Sequence, residues 1–256
     1  MIAVLTVVLL LFSQQAWSQA TNQVGIGIGI ASIALRDQGM SPLMYTGLGY
    51  SGAVAFERHT ASRSKRFLVQ YHHAAINNRY GNSCGYRGVA FKNQTLYHRD
   101  SGRHNRIALG WSNSNHFMYY DNSGYANFSE RSNYMTTFGM VAAYHKPFFL
   151  FGRHFVFELP ADLKLVGFYL RPSYVSNSPE GYLDPANSGF MAWLYSVDAF
   201  LPNNAWSFEL YPELSYLLKS GNQVSIGYHY EFVRMNKPEP VVQSTGAWYI
   251  KLSAKL

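Results

Sequence analysis

The chain has 256 residues, of which 48% are hydrophobic, 16% aromatic and only 14% charged, with a formal net charge of +7 and a single cysteine. So few charges beside so many aromatics exclude a disordered chain, which shows the reverse balance, and one Cys excludes an intrachain disulfide scaffold. A mean hydropathy of −0.14 excludes a bundle of long apolar helices, and the length suits one β domain.

The chain opens on the apolar run Ile2–Phe12, interrupted only by Thr6. That is short of the about 20 residues a membrane-spanning helix needs and fits the core of a secretory signal. Ala16-Trp17-Ser18 and Ser18-Gln19-Ala20 offer small-x-small cleavage sites. Met1-Ile2-Ala3 carries no Lys or Arg, unlike the usual leader. Residues 1–20 are therefore expected to be a signal peptide and 21–256 the mature domain. No Cys follows the cleavage site, so no lipid anchor is expected, and no later run is apolar enough for a spanning helix.

From there the pattern has period two. In 45–58, Leu48, Tyr50, Val54 and Phe56 alternate with Gly47, Gly49, Ser51, Ala53, Ala55 and Glu57. In 205–219, Trp206, Phe208, Leu210, Leu214, Tyr216 and Leu218 oppose Ser207, Glu209, Tyr211, Glu213 and Ser215. In 222–235, Val224, Ile226, Tyr228, Tyr230 and Phe232 oppose Ser225, Gly227, His229 and Glu231. Each stretch reads as a strand with one apolar and one polar face. The remaining expected strands cover 23–34, 66–78, 86–98, 104–112, 115–121, 133–145, 154–172, 188–200 and 245–256. Most exceed the globular mode of about 5–6 residues and match the about 9–11 that a strand needs to cross a bilayer. Turn signals separate them, among them Ser101-Gly102, Asp121-Asn122-Ser123-Gly124 and Ser220-Gly221-Asn222.

The same alternation fits a soluble sandwich, with the apolar face inside, or a membrane barrel, with the apolar face towards lipid. Long strands, Tyr and Trp near the strand ends, and a Gly/Ala/Ser-rich opposite face favour the barrel. The secretory leader, the strands throughout, and the final run Ala247-Trp248-Tyr249-Ile250-Lys251-Leu252-Ser253-Ala254-Lys255-Leu256 resemble a Gram-negative outer-membrane β-barrel protein. The terminal run is similar to the insertion signal of that class, although it ends in Leu256 rather than an aromatic. The resemblance implies an all-β, closed antiparallel transmembrane β-barrel of 10 to 12 strands in the cell outer membrane. Its partners would be outer-membrane lipid, lipopolysaccharide and the barrel-assembly machinery. A fold of this kind does not name a function.

Charge is uneven. Residues 21–110 hold 11 Lys/Arg and 3 Asp/Glu, while residues 111–256 hold 10 and 11. Arg58, Arg63, Lys65 and Arg66, then Arg99, Arg103 and Arg106, cluster at expected turns. They could meet lipopolysaccharide phosphates or simply anionic headgroups. The leader argues against nucleic acid.

Asp198, Glu209, Glu213, His229, Glu231, Arg234 and Lys251 fall on or near the inward phase of the late strands. Buried charges need partners, so a lumenal polar network is expected there, either structural or ligand-binding. A lipid hydrolase of the phospholipase or lipid A deacylase kind would need Ser and His together on the lipid-facing side. Ser114-Asn115-His116 has the spacing in reversed order, and His98-Arg99-Asp100-Ser101 lacks it. Gly25, Gly27 and Gly29 lack the dinucleotide-binding order and instead make a small inward face. No metal ligand set or cofactor is expected. Oligomeric state is left open, as is the choice among a narrow small-solute channel, a structural or surface-complex component, the hydrolase, and a soluble binder.

Overall fold

In the computed structural model residues 20–98, 106–122, 130–171 and 197–256 are described. The expected leader (all but Ala20), Arg99, Arg103, Ser101 and most of the expected strand 188–200 lie outside them. The described chain forms β1 (Thr21–Asp37), β2 (Tyr45–His59), β3 (Arg63–Asn77), β4 (Ser83–His98), β5 (Arg106–Asp121), β6 (Glu130–Leu150), β7 (Arg153–Leu170), β8 (Val197–Phe200), β9 (Ala205–Leu210), β10 (Glu213–Leu217), β11 (Gln223–Met235) and β12 (Val241–Lys255).

Every neighbour pair is antiparallel, and β12 returns to β1, so the sheet closes on itself. The short strands β8, β9 and β10 all run along β7, and β9 and β10 also run along β11 in one register. Across the break at Tyr211-Pro212 the ladder goes on, because Tyr211 N donates to the Pro160 carbonyl and Tyr228 N to the Pro212 carbonyl. Those three strands are one stave, and the twelve strands make a ten-staved barrel. Proline has no N–H to give the ladder, which explains the nominal break.

Two expectations are corrected. The separate strands 104–112 and 115–121 are the single strand β5. The single strand 205–219 is the divided pair β9 and β10, joined in one stave by β8.

Inward and outward positions alternate as the period-two pattern requires. Ile28, Leu48 and Trp248 are 73%, 72% and 62% exposed on the outer surface, whereas Lys92 and Glu209 inside are 1% and 0% exposed. Close strand approach needs glycine at Gly29 and Gly49, where an added Cβ would meet the backbone oxygens of Trp248 and His73 at 1.9 and 1.8 Å. A single closed sheet excludes the two-sheet sandwich.

One rim carries both ends of the barrel chain, Thr21 and Lys255, with the connections 60–62, 151–152 and 218–222 and the strand ends His98 and Arg106. The opposite rim carries 38–44, 78–82 and 236–240 and the strand ends Asp121, Glu130, Leu170 and Val197. In sequence, the strands that meet at the second rim are separated by the longer stretches, Leu170 and Val197 by the longest.

Candidate functional site: a lumen filled in three layers

The rim away from the termini is closed by an apolar core inside the barrel. Ile33 and Leu35 of β1, Tyr45, Ile76, Tyr86, Tyr120, Met135, Tyr169, Phe200 and Val233 pack with Met40, folded in from the first connection. Gln243 ties the ring of aromatics together, accepting from the Tyr120 hydroxyl at 3.0 Å and donating to the Tyr86 hydroxyl at 3.0 Å. Arg171 locks the last connection over this end. It donates to the carbonyls of Lys237 and Glu239 at 3.1 and 2.7 Å and pairs with Asp37 at 3.1 Å.

The middle layer is ionic. Lys92 of β4 donates to Glu209 at 2.6 Å and to the Tyr211 hydroxyl at 2.7 Å, and Tyr211 donates to Glu209 as well. Glu231 lies 3.7 Å from Lys92 and 3.4 Å from His116 Nδ1. Lys164 pairs with Asp162 at 2.6 Å and approaches Glu209 at 3.7 Å, while Ser112 donates to Asp162 at 2.7 Å. The Tyr211 and His229 rings stack at 4.3 Å and 7°. Three carboxylates thus share two ammonium groups, with the imidazoles of His116 and His229 beside them. His116, Glu209 and Glu231 offer ligand atoms all within 4.8 Å of one another. Lys92 already supplies the positive charge to both of those carboxylates, so this group is explained without a metal ion.

The third layer faces the terminus rim. Lys251 pairs with Glu213 at 2.7 Å and lies 3.6 Å from Glu57. Arg66 is 3.3 Å from Glu57, and Tyr249 donates to Glu213 at 3.0 Å. The small inward face of Gly25, Gly27, Ser51, Ala53 and Ala55 leaves room beside Tyr211, Tyr249 and Arg66 for a cavity of about 20 Å³, the size of one water. Outside this layer a vestibule of about 390 Å³ opens, lined by His59, His98, His145, Arg106, Glu158 and others.

The expected lumenal network is therefore two networks with two outliers. Glu209, His229 and Glu231 belong to the middle layer, Glu213 and Lys251 to the third. Asp198 lies opposite Tyr169 near the far rim. Arg234 is on the outer surface, a correction: it falls on the outward phase of β11 and bonds Asn236 at 3.3 Å. Sequence reasoning missed Lys92, His116, Asp162 and Lys164. Their inward phase was readable, but partners across a lumen are set by barrel closure, which alternation along one strand does not encode.

Of the basic positions, Arg58, Arg63, Lys65 and Arg106 gather at the terminus rim, with Arg58 and Lys65 directly opposite in the ladder. Arg66 turns inward to Glu57. Ser114 and His116 point into the lumen, away from the lipid-facing side a hydrolase would need.

No family model and no curated relative matches the chain. In fold it is similar to solved structures of low identity. The translocator domain of autotransporter NalP from Neisseria meningitidis has 10% identity and a TM-score of 0.41, covering 99% of this chain and 94% of that one. The transport unit of the autotransporter AIDA-I from Escherichia coli has 8% identity and a TM-score of 0.42, covering 94% and 91%. Ail, the attachment invasion locus protein of Yersinia pestis, has 7% identity and a TM-score of 0.35, covering 91% and 99%.

Proposed function

We propose that this chain is an integral outer-membrane β-barrel with a permanently filled lumen, serving as a non-enzymatic structural or surface-complex component rather than a small-solute channel. One observation carries the reading: the barrel is inside-out relative to a water-soluble protein. Ile, Leu, Phe and Trp cover the outside, while Lys92, Lys164, Asp162 and Glu209 are sealed within. An apolar outer belt of this extent is stable against lipid and would aggregate in water. The secretory leader read from residues 1–20 supports export.

Short turns on the periplasmic side and longer loops outside are the rule for such barrels, which points the terminus rim to the periplasm. In that orientation Arg58, Arg63, Lys65 and Arg106 meet anionic headgroups of the inner leaflet, while lipopolysaccharide borders the opposite rim. Solute passage would require crossing the apolar core and both ionic layers.

The test is reconstitution into a planar bilayer of protein whose unboiled and boiled gel bands differ. The expected result is a band shift with no stepwise conductance. Steady single-channel steps would restore the channel reading, and a soluble protein with no band shift would remove the membrane reading altogether.

A further inference from the structure

Around most of the barrel the outward positions between the rims are aliphatic or aromatic. On β4, β5 and β6 they are interrupted. Asn93 faces Asn113 across the β4–β5 ladder, and Asn115 faces Thr136 across β5–β6. All four point outward, while Trp111 on one side of them and Phe117 on the other are 45% and 50% exposed. The polar patch thus lies within the apolar belt, not at its edge.

Its internal bonding is incomplete. Asn115 donates to Asn113 at 3.1 Å and accepts from Thr136 and Tyr134 at 2.8 and 3.1 Å, while Asn113 donates to the Thr137 carbonyl at 3.1 Å. A carboxamide has two N–H donors and an oxygen with two lone pairs. One N–H each on Asn113 and Asn115 and one lone pair on Asn113 are left over. Asn93 makes no side-chain hydrogen bond among the described residues. Hydrocarbon tails satisfy none of this capacity, and lipid headgroups sit at the rims. The unused groups include both donors and acceptors, so two copies of the patch can meet donor to acceptor, as a two-fold interface requires.

We infer that the β4–β6 face is a dimer interface between two copies of this chain, related by an axis along the membrane normal. The carboxamides of Asn93, Asn113 and Asn115 hydrogen-bond across it, and exposed Phe91, Trp111 and Phe138 pack around them. Polar side chains are a recurrent means of joining membrane segments. The inference rests on the outer surface facing lipid, and does not depend on whether the lumen conducts.

Single cysteines at Asn113 or Asn115, with Ile28→Cys on the β1 face as control, would be oxidised in native membranes; Cys84 is buried in the lumenal core and shielded. A disulfide-linked dimer at either Asn site and none at Ile28 is expected. In detergent, light scattering should give twice the protomer mass for the unaltered protein. The Asn93→Leu/Asn113→Leu/Asn115→Leu variant should give one protomer mass and keep its band shift. A monomer with an intact band shift, no cross-link, or a cross-link to a different protein overturns the dimer. Loss of the band shift in the unaltered protein overturns the membrane reading instead.

Discussion

Two layers of the lumen are filled by different physics. Towards the long-loop rim, Phe200, Tyr120, Met135 and Val233 make a core like that of any soluble domain. In the middle, Lys92, Lys164, Asp162, Glu209 and Glu231 are as deeply buried but held by charge. An apolar layer is forgiving: apart from the hydrogen bonds of Tyr86 and Tyr120 to Gln243, its groups have only volume to lose. An ionic layer is brittle, because removing one member strands the others in a medium that cannot solvate them. Each layer should therefore fail, and be repaired, in its own way.

The largest effect is expected at Lys92. Lys92→Met should cost about 3–5 kcal/mol, read as the midpoint of urea unfolding followed by the gel band shift, because two carboxylates then lose their nearest cation. Lys92→Met combined with Glu209→Leu should regain more than half of that loss, since the pair leaves together and the balance of carboxylates over ammonium groups is unchanged. A double variant as unstable as the single one would mean that shape rather than charge holds the layer.

A loss of comparable size, about 3–5 kcal/mol, is expected for Phe200→Ala, a fully buried aromatic. Here no polar substitution elsewhere should rescue; only a larger apolar neighbour should. Rescue by deleting a charge would erase the distinction between the two layers.

The smallest effect is expected at the vestibule wall. His145 and Glu158 pair at 2.9 Å with both side chains more than a third exposed, so His145→Ala should shift the midpoint by about 0–1 kcal/mol. The shift should shrink further at high salt. A salt-insensitive loss as large as that at Lys92 would show the vestibule to be closed to water.

Alternation made the barrel legible, since a transmembrane stave writes its two faces in every second residue. It failed where a face departs from type. The alternation of apolar and polar residues in 104–112 and 115–121 does not carry through Asn113-Ser114, because Asn113 and Asn115 stand at outward positions of the single strand β5. Tyr211-Pro212 reads through as strand because its inward and outward phases are intact, although the proline interrupts the hydrogen-bond pattern. Glu209 and His229 were legible as lumenal from phase alone. The counterions of Glu209, Lys92 and Lys164, come from β4 and β7, on other walls of the lumen.

The seam between β1 and β12 pairs Gln23–Asp37 with Val241–Lys255, joining segments from the two ends of the sequence. Contacts so distant along the chain form late in folding. Until the last strand arrives, β1 and β11 each present an open row of backbone donors and acceptors, the template on which β-rich chains stick to one another. Assembly must thus keep a nearly finished barrel from its own kind until its final fifteen residues are in place. A nascent chain cut short before Val241 would have no way to retire either edge.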